Sequence, residues 1–484
     1  MMLSPLLTDL YQLSMAQGYF RTGRASDQAV FQLIFRRLPF KGGYALAAGL
    51  EQVLDSIEQF RFEQTDIEYL ATLRASDGSA LFSQDFLTYL RELELSLDID
   101  AVHEGTVVFA HEPLVRVRGP LLQAQLLESA LLNAVNFQTL IATKAARVVH
   151  AARGHEVLEF GLRRAQGADG ALSASRAAFI GGCAATSNVL AGQRFGIPVR
   201  GTHAHSWVMA WDDELSAFES YAQAMPHNCV LLVDTYDTLE GVQNAIIAGR
   251  KLREQGGKLL GIRLDSGDLA WLSTEARKLL DEAGFRDTAI LASNDLDEHL
   301  IESLVLQEAA ITTWCVGTKL VTGHEDAALG GVYKLSMISK NGGPLEPRIK
   351  LSEQSSKISN PGMQQVRRWT RNDRYIADAI YDAAHGCEQP TRLIDPFDPT
   401  RQRVMASELA YEDLLVPVVR AGKRVDARPS LLQMRERAQR EIARLDPAVR
   451  RLVNPHEYPV GLSSQLYAER LRLIQKARNA RPLP

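Results

Sequence analysis

An arginine and an aspartate two residues apart close the apolar run "GIRLDSGDL": Arg263 and Asp265, just ahead of Ser266-Gly267-Asp268. Alternate residues of a strand project to the same side, so the two side chains can work together. A guanidinium matches phosphate or carboxylate oxygens through paired hydrogen bonds, and a carboxylate suits a sugar diol or a magnesium ion. The plain alternative is a structural Arg–Asp pair at the rim of the fold. In "CVGTKLVTG", Gly317-Thr318 follows another apolar run and frees backbone N–H groups at a predicted helix start. Such a turn binds anions, although an ordinary turn reads the same. "LASNDLDE" repeats the pattern with Ser293 and Asn294, which as helix caps would do no chemistry.

Two further clusters carry reactive groups. "GTHAHSW" holds His203 and His205 two apart. Facing one way, they could share a metal ion; alternatively His205 alone is a reactive imidazole beside the anion sites, or both rings are bonded to backbone. "EFGLRRAQG" brings Phe160 and Arg163 together where a strand gives way to a loop. An aromatic face plus a guanidinium fits a flat, anionic heteroaromatic acid. A core phenylalanine and a surface arginine are the plain alternative.

These residues need elements to hold them. Between about residues 155 and 320, seven short apolar runs end in polar or glycine-rich turns and are followed by helical patterns: "EVLEFGLRR", "AAFIGG", "PVRGTHAHS", "CVLLVDTYDT", "LLGIRLDSGD", "AILASND" and "TTWCVGTK". Repeated strand–loop–helix units predict a parallel sheet, and seven strands nearly close an α/β barrel. The active edge of such a sheet is where the strands end, which nominates Arg163, His205, Asp234, Asp265, Asn294 and Thr318 as neighbours. Ahead of the barrel, Val102 to Arg118 reads as two strand runs in the antiparallel part of an N-terminal α+β domain, the second limited by Pro113 and closed by Gly119-Pro120. Leu121 to Arg153 has helical spacing, as one helix or two, and stops at Gly154. Residues 340–365 are rich in Gly, Pro and Ser and predict a long loop with a short strand. Leu431–Leu445 and Ser464–Arg478 predict helices within a basic segment, residues 420–484, with 15 Lys and Arg against 6 Asp and Glu. Few aromatics interleave these charges, so they read as solvated helix faces rather than a nucleic-acid surface.

Composition narrows the class. The chain has 484 residues, 46% hydrophobic and 23% charged, with a net charge of −4. This is an ordinary soluble composition without the global basicity of a nucleic-acid binder. No run of 18 or more apolar residues predicts a membrane span. The first 13 residues lack a basic region before their apolar stretch, so no signal peptide is expected. Four cysteines, Cys183, Cys229, Cys315 and Cys387, form no metal or disulfide pattern and suit a reduced, cytoplasmic setting.

Taken in order, "LLTDLYQLSMAQGYF", "FGLRRAQG", "GTHAHSW", "LLVDTYDT", "RLDSGDL", "VGTKLVT", "KLSEQSSKISNPG" and "NPHEYPVGLS" resemble the nicotinate phosphoribosyltransferase family across nearly the whole chain. The resemblance implies an irregular α/β barrel of the type II phosphoribosyltransferase kind, with an N-terminal α+β domain and a C-terminal helical extension. The expected division is residues 1–125, 126–335 (the barrel) and 336–484 (return strands, a loop and a basic helical region). It implies a head-to-tail homodimer in which Tyr11 reaches the partner's site and stacks on the pyridine ring, with Phe160 on the other face. Arg163, Thr202 and Arg263 match nicotinate-side positions. Asp265 matches a carboxylate near the ribose. Asp234, Ser293, Asn294, Gly317 and Thr318 are expected around the phosphates of 5-phosphoribosyl-1-pyrophosphate (PRPP). His205 matches the histidine that ATP phosphorylates, and His203 sits at a variable position without a role. The implied reaction converts nicotinate, PRPP, ATP and water to nicotinate mononucleotide, pyrophosphate, ADP and phosphate, with Mg²⁺ as cofactor, at the start of NAD salvage from nicotinate. Two alternatives stand beside it. A nicotinamide enzyme would place an acid near the ring, and "FIGGCAATSN" offers none. A metal-dependent amidohydrolase would use His203, His205 and Asp265 but lacks later strand-end histidines.

Overall fold

The computed structural model describes residues 4–340 and 342–479; the extreme ends of the first and third expected regions, and Asn341, lie outside the described residues. The chain forms two compact units, one built from the residues up to Leu140 together with those from Ala328 onward, the other from Ile141–Ala327. The region 336–484, read from sequence as a separate stretch, thus joins the N-terminal residues. Strand pairing is the physical reason. Gln28–Phe35 takes Gly331–Ile338 on one edge and Pro113–Pro120 on the other, both antiparallel. The seven-stranded sheet continues through Asp98–Ala101 to Val416–Arg420 and Lys423–Arg424. Pro113 opens its strand, where a missing N–H is tolerated. Ala29, Phe31, Leu33 and Phe35 alternate into one core with Ile99, Val115, Val117 and Val418.

A second sheet of six strands and a two-stranded pair, Ala45–Leu46 with Val107–Val108, belong to this unit as well. The third strand of the six in spatial order, Val460–Ser463, lies between Thr391–Ile394 and Arg374–Asp382. The helical readings hold. Leu121–Leu126 and Glu128–Ala151 are two helices, Leu431–Ala443 opens on a capping box from Ser430 and Gln433, and Ser464–Asn479 follows. The loop at 340–365 carries the two-residue strand Glu346–Pro347.

The second unit contains six strands: β1 (Glu156–Glu159), β2 (Ala185–Thr186), β3 (Cys229–Leu232), β4 (Leu259–Leu264), β5 (Ala289–Ala292) and β6 (Thr313–Val316). Every pairing among them is parallel, and the order is β2-β1-β6-β5-β4-β3. That is a circular order with a single break between β2 and β3. Two of the seven predicted strand runs turn out differently. "AAFIGG" ends the helix Gly167–Ile180, whose Ala177–Ile180 are buried; a short apolar run cannot by itself distinguish a buried helix from a strand. The strand comes a few residues later, at β2. "PVRGTHAHS" is not a strand either, but it spans the break. Thr186 N–H donates to Pro198 O (3.0 Å) and Arg200 N–H to Thr186 O (3.0 Å). On the far side, Leu232 N–H donates to His203 Nε2 at 3.1 Å.

Helices Thr238–Glu254, Leu269–Glu282 and Glu298–Leu306 follow β3, β4 and β5. Each is capped by an aspartate, Asp237, Asp268 or Asp297, that accepts from the backbone three residues on. The cap after β5 is therefore Asp297, not Ser293 or Asn294, which leaves those two free for other contacts. Among the described residues, no helix is long and apolar enough to cross a membrane.

Candidate active site

Strand ends in the second unit converge on Arg263. This side chain is 10% exposed and reaches three loops at once. Its Nε donates to Ser293 Oγ (2.9 Å), Nη1 to Thr202 Oγ1 (2.6 Å), and Nη2 to Asp265 Oδ1 (3.3 Å). Ser293 Oγ also donates to Asp265 Oδ1. The predicted i, i+2 pairing of Arg263 and Asp265 is realised, with a buried serine and a threonine completing the frame. Asp265 Oδ2 receives no hydrogen bond among the described residues, and the side chain is 30% exposed. One carboxylate oxygen is therefore fixed while the other stays open.

Asp234, just beyond β3, forms the second frame. Its side chain is 1% exposed. Oδ2 accepts from Asp265 N–H (2.8 Å) and Ser266 Oγ (2.8 Å), and Oδ1 meets His205 Nε2 at 3.2 Å. With both oxygens committed, Asp234 orients His205 and the Asp265 loop. His205 begins the helix His205–Met209 and keeps a 38% exposed side chain. With Nε2–H directed at Asp234, Nδ1 carries the free lone pair.

His203 does not face the same way as His205. Its ring is buried against Phe218 and Tyr221; Nε2 accepts from Leu232 N–H, and Nδ1 lies 3.3 Å from Ala204 O. Burial, with Arg263 nearby, pulls its pKa down to about 4. Because His205 starts a helix turn, the strand-like alternation that would aim both rings at one ion is lost, and with it the geometry for the amidohydrolase reading. Another group with ligand-like spacing, Glu298, His299 and Glu325, already surrounds cations: Lys144 Nζ lies 2.6 Å and Arg147 Nε 2.7 Å from the Glu298 carboxylate.

The remaining nominated residues lie around β1, β5 and β6. Phe160 N–H donates to Val316 O (2.8 Å), and its ring packs partly buried beside Leu158 and Cys315. Arg163 is exposed on the short 3-10 turn Leu162–Arg164, against which the helix Thr318–Val321 packs. Gly161 permits that approach, since a Cβ there would lie 2.2 Å from Val321 Cγ1. Gly317 and Thr318 are half-buried at this helix start. Asn294 is exposed at a positive φ of 112°. Tyr11, in the first unit, is 49% exposed on the helix Leu10–Arg21, opposite its buried Gln12, Leu13 and Ala16.

Sequence reasoning missed Glu159. It is 1% exposed at the end of β1. It accepts from Gly161 N–H (2.5 Å), Ser175 Oγ (2.8 Å) and Thr186 Oγ1 (2.5 Å), and so shapes the turn that presents Phe160 and Arg163. An acid ending the apolar run "EVLEF" was the available signal.

Comparisons with known proteins identify the family. Family models described as the nicotinate phosphoribosyltransferase N-terminal domain, family and C-terminal domain match residues 6–136, 155–368 and 363–470. The chain is 43% identical to a nicotinate phosphoribosyltransferase of Bacillus subtilis, covering 98% of this chain and 96% of that one. To the Homo sapiens nicotinate phosphoribosyltransferase the identity is 36%, over 96% and 95% of the two chains. A crystal structure of human nicotinic acid phosphoribosyltransferase superposes with a TM-score of 0.83 at 33% identity, covering 96% of this chain and 99% of that one. With matches to three family models along its length and full-length relatives at this identity, the chain belongs to the nicotinate phosphoribosyltransferase family.

Proposed function

We propose that this chain joins nicotinate to the phosphoribosyl group of PRPP and couples the transfer to ATP, the first step of NAD salvage from nicotinate. The observation that carries this reading is the Arg263 frame. A buried guanidinium fixes Thr202, Ser293 and one oxygen of Asp265, the other Asp265 oxygen stays open, and an Asp234-oriented imidazole stands alongside. In the transfer step the ring nitrogen of nicotinate attacks ribose C1 and the C1–O bond to pyrophosphate breaks. Positive charge grows on the sugar and negative charge on the leaving group, so positioning and preorganised electrostatics do the work. Phe160 takes one face of the nicotinate ring, and Tyr11 of the partner subunit takes the other in a homodimer. Arg163, Thr202 and Arg263 orient the carboxylate and the neighbouring phosphoryl oxygens. Gly317 and Thr318, with Ser293 and Asn294, hold PRPP phosphates. The open oxygen of Asp265 receives a ribose hydroxyl.

Asp265 is also the residue whose free oxygen suits Mg²⁺, and that ion would offset charge on the pyrophosphate. Asp234 is committed to His205 and the backbone, which favours a positioning role over direct contact with ribose or phosphate. His205 is the nucleophile toward ATP: Nδ1 attacks the γ-phosphorus, ADP leaves, and water later releases phosphate from the phosphohistidine. Phe179 to Asn188 contains no acid to accept from an amide, which favours nicotinate over nicotinamide. All four cysteines are free, and we place the enzyme in the cytoplasm. The test is a product assay by mass spectrometry with PRPP, Mg²⁺ and equal nicotinate and nicotinamide, with and without ATP. Nicotinate mononucleotide, formed further with ATP, is expected. Nicotinamide mononucleotide as the main product would overturn the substrate assignment.

A further inference from the structure

The motif "NPHEYPVGLS" has no role in the reaction above, yet Asn454–Leu462 forms one wall of a cleft of about 1020 Å³ within the first unit. The stretch from Asp395 to Arg403 forms a second wall, and Lys41 and His111 line a third. Two stacked rings, Phe109 and Tyr458, lie at its side with centroids 4.0 Å apart. Tyr458 is anchored by a 2.7 Å hydrogen bond from its hydroxyl to Asp378, itself held by buried Arg368. The wall is therefore preformed. Its volume is that of a small-molecule site.

The informative residue is Arg470. It stands on the buried face of the helix Ser464–Asn479, in line with Leu466 and Ile474, and is 4% exposed. Among the described residues its single hydrogen bond is a 3.4 Å contact from Nη1 to Pro396 O, and Nε has no partner. No carboxylate of the described residues pairs with it. Other deeply buried arginines behave differently: Arg116, Arg147, Arg368 and Arg424 each meet a carboxylate within 2.8 Å. A buried guanidinium without a counter-ion is unfavourable unless an anion from outside supplies it.

The surroundings suit such an anion. Lys41 and Arg403 are exposed lining residues without ion-pair partners among the described residues. The two lining acids are occupied: Asp395 accepts from Phe397 and Asp398 N–H, and Glu457 lies 3.4 Å from Arg401. His111 is kept neutral by burial and by the nearby Arg36 and Arg470, with its pKa pulled down to about 4. The Phe397 ring, 44% exposed, stands 4.9 Å from the His111 ring and offers a flat surface. We propose that this cleft binds a phosphate-bearing ring compound of nucleotide size, with phosphate oxygens on Arg470, Lys41 and Arg403 at the mouth, and the ring on Phe397. More than one unpaired cation favours phosphate over a monocarboxylate.

The test is the thermal midpoint of the full chain, measured against concentration of inorganic phosphate, adenosine 5′-monophosphate and adenosine. Wild type and Arg263→Gln should both show a saturable rise with the first two, at lower concentration for the nucleotide, and none with adenosine. Arg470→Met should unfold at a higher temperature than wild type without ligand. It should also need about tenfold more of either phosphate compound or worse. Phe397→Ala should weaken the nucleotide alone. Lys41→Gln with Arg403→Gln, a change confined to exposed residues, should weaken both compounds several-fold even if Arg470→Met fails to fold. Wild-type response in the Arg470 variant, loss of the response in Arg263→Gln alone, or no rise in wild type would overturn the proposal. A nucleotide no tighter than free phosphate would overturn the ring contact.

Discussion

Acid should detach the segment that carries Thr202 and His205, through His203. This ring accepts from Leu232 N–H in a buried pocket, and protonation of Nε2 would set two donors against each other. Burial lowers its pKa from the ordinary 6.5 to about 4 in the fold, while the unfolded chain keeps the ordinary value. Between those values the unfolded state binds the proton and the folded state does not, so stability is full above pH 6.5, falls as pH drops, and levels off below 4. At about 1.36 kcal/mol per tenfold change in proton concentration, the whole interval corresponds to roughly 3 kcal/mol, and roughly 2 kcal/mol is lost between pH 7 and pH 5. His203→Gln keeps an acceptor for Leu232 and removes the titration. Urea unfolding followed by tryptophan fluorescence, with Trp207, Trp211, Trp271 and Trp314 in this unit, should show wild type losing about 2 kcal/mol more than the variant across that range. Equal losses in both proteins would refute the reasoning.

The other expectations concern the frames around the site. Arg263→Lys keeps the charge but cannot span Thr202, Ser293 and Asp265, so kcat/KM for nicotinate should fall by about 10²-fold; wild-type kinetics would make Arg263 structural. Asp234→Asn should cost ATP-coupled turnover at least about tenfold while some ATP-independent transfer persists, and a phosphohistidine assay would locate the loss at His205. Asp378→Ala removes the wholly buried partner of Arg368 and leaves it only the ion pair with Glu441 at 3.4 Å, and should lower stability by about 3 kcal/mol in calorimetry. Gly161→Ala places a methyl group against Val321; raised KM for nicotinate with little change in far-UV circular dichroism is expected.

The strand-end logic found the Arg263 and Asp265 pair and the Gly317-Thr318 helix start, because an apolar run followed by a polar turn marks a parallel strand directly; His205 lies beside them although its own run is not a strand. It mistook "AAFIGG" for a strand because alanine-rich burial has no period of its own, and it missed β2, two residues long, for want of any run. It treated His203 and His205 as alternates on a strand; the break between β2 and β3 is bridged instead by an irregular segment, which no local pattern encodes. Asp234 was legible as a strand-end acid, but its full engagement by His205, Ser266 and backbone depends on three separate loops. The joining of residues beyond 328 to the first unit rests on long-range pairing of Gly331–Ile338 with Gln28–Phe35, where sequence separation hides the partner.

That pairing also sets an order of events during synthesis. The strands of the barrel unit are all present once residue 327 has emerged, and its contacts are sequentially contained. The other unit needs Val460–Ser463 between Thr391–Ile394 and Arg374–Asp382, so its second sheet stays split until that late strand has been made. A nascent chain stalled near residue 400 would carry a foldable barrel flanked by unpaired strand edges, the species most exposed to chaperones and to aggregation.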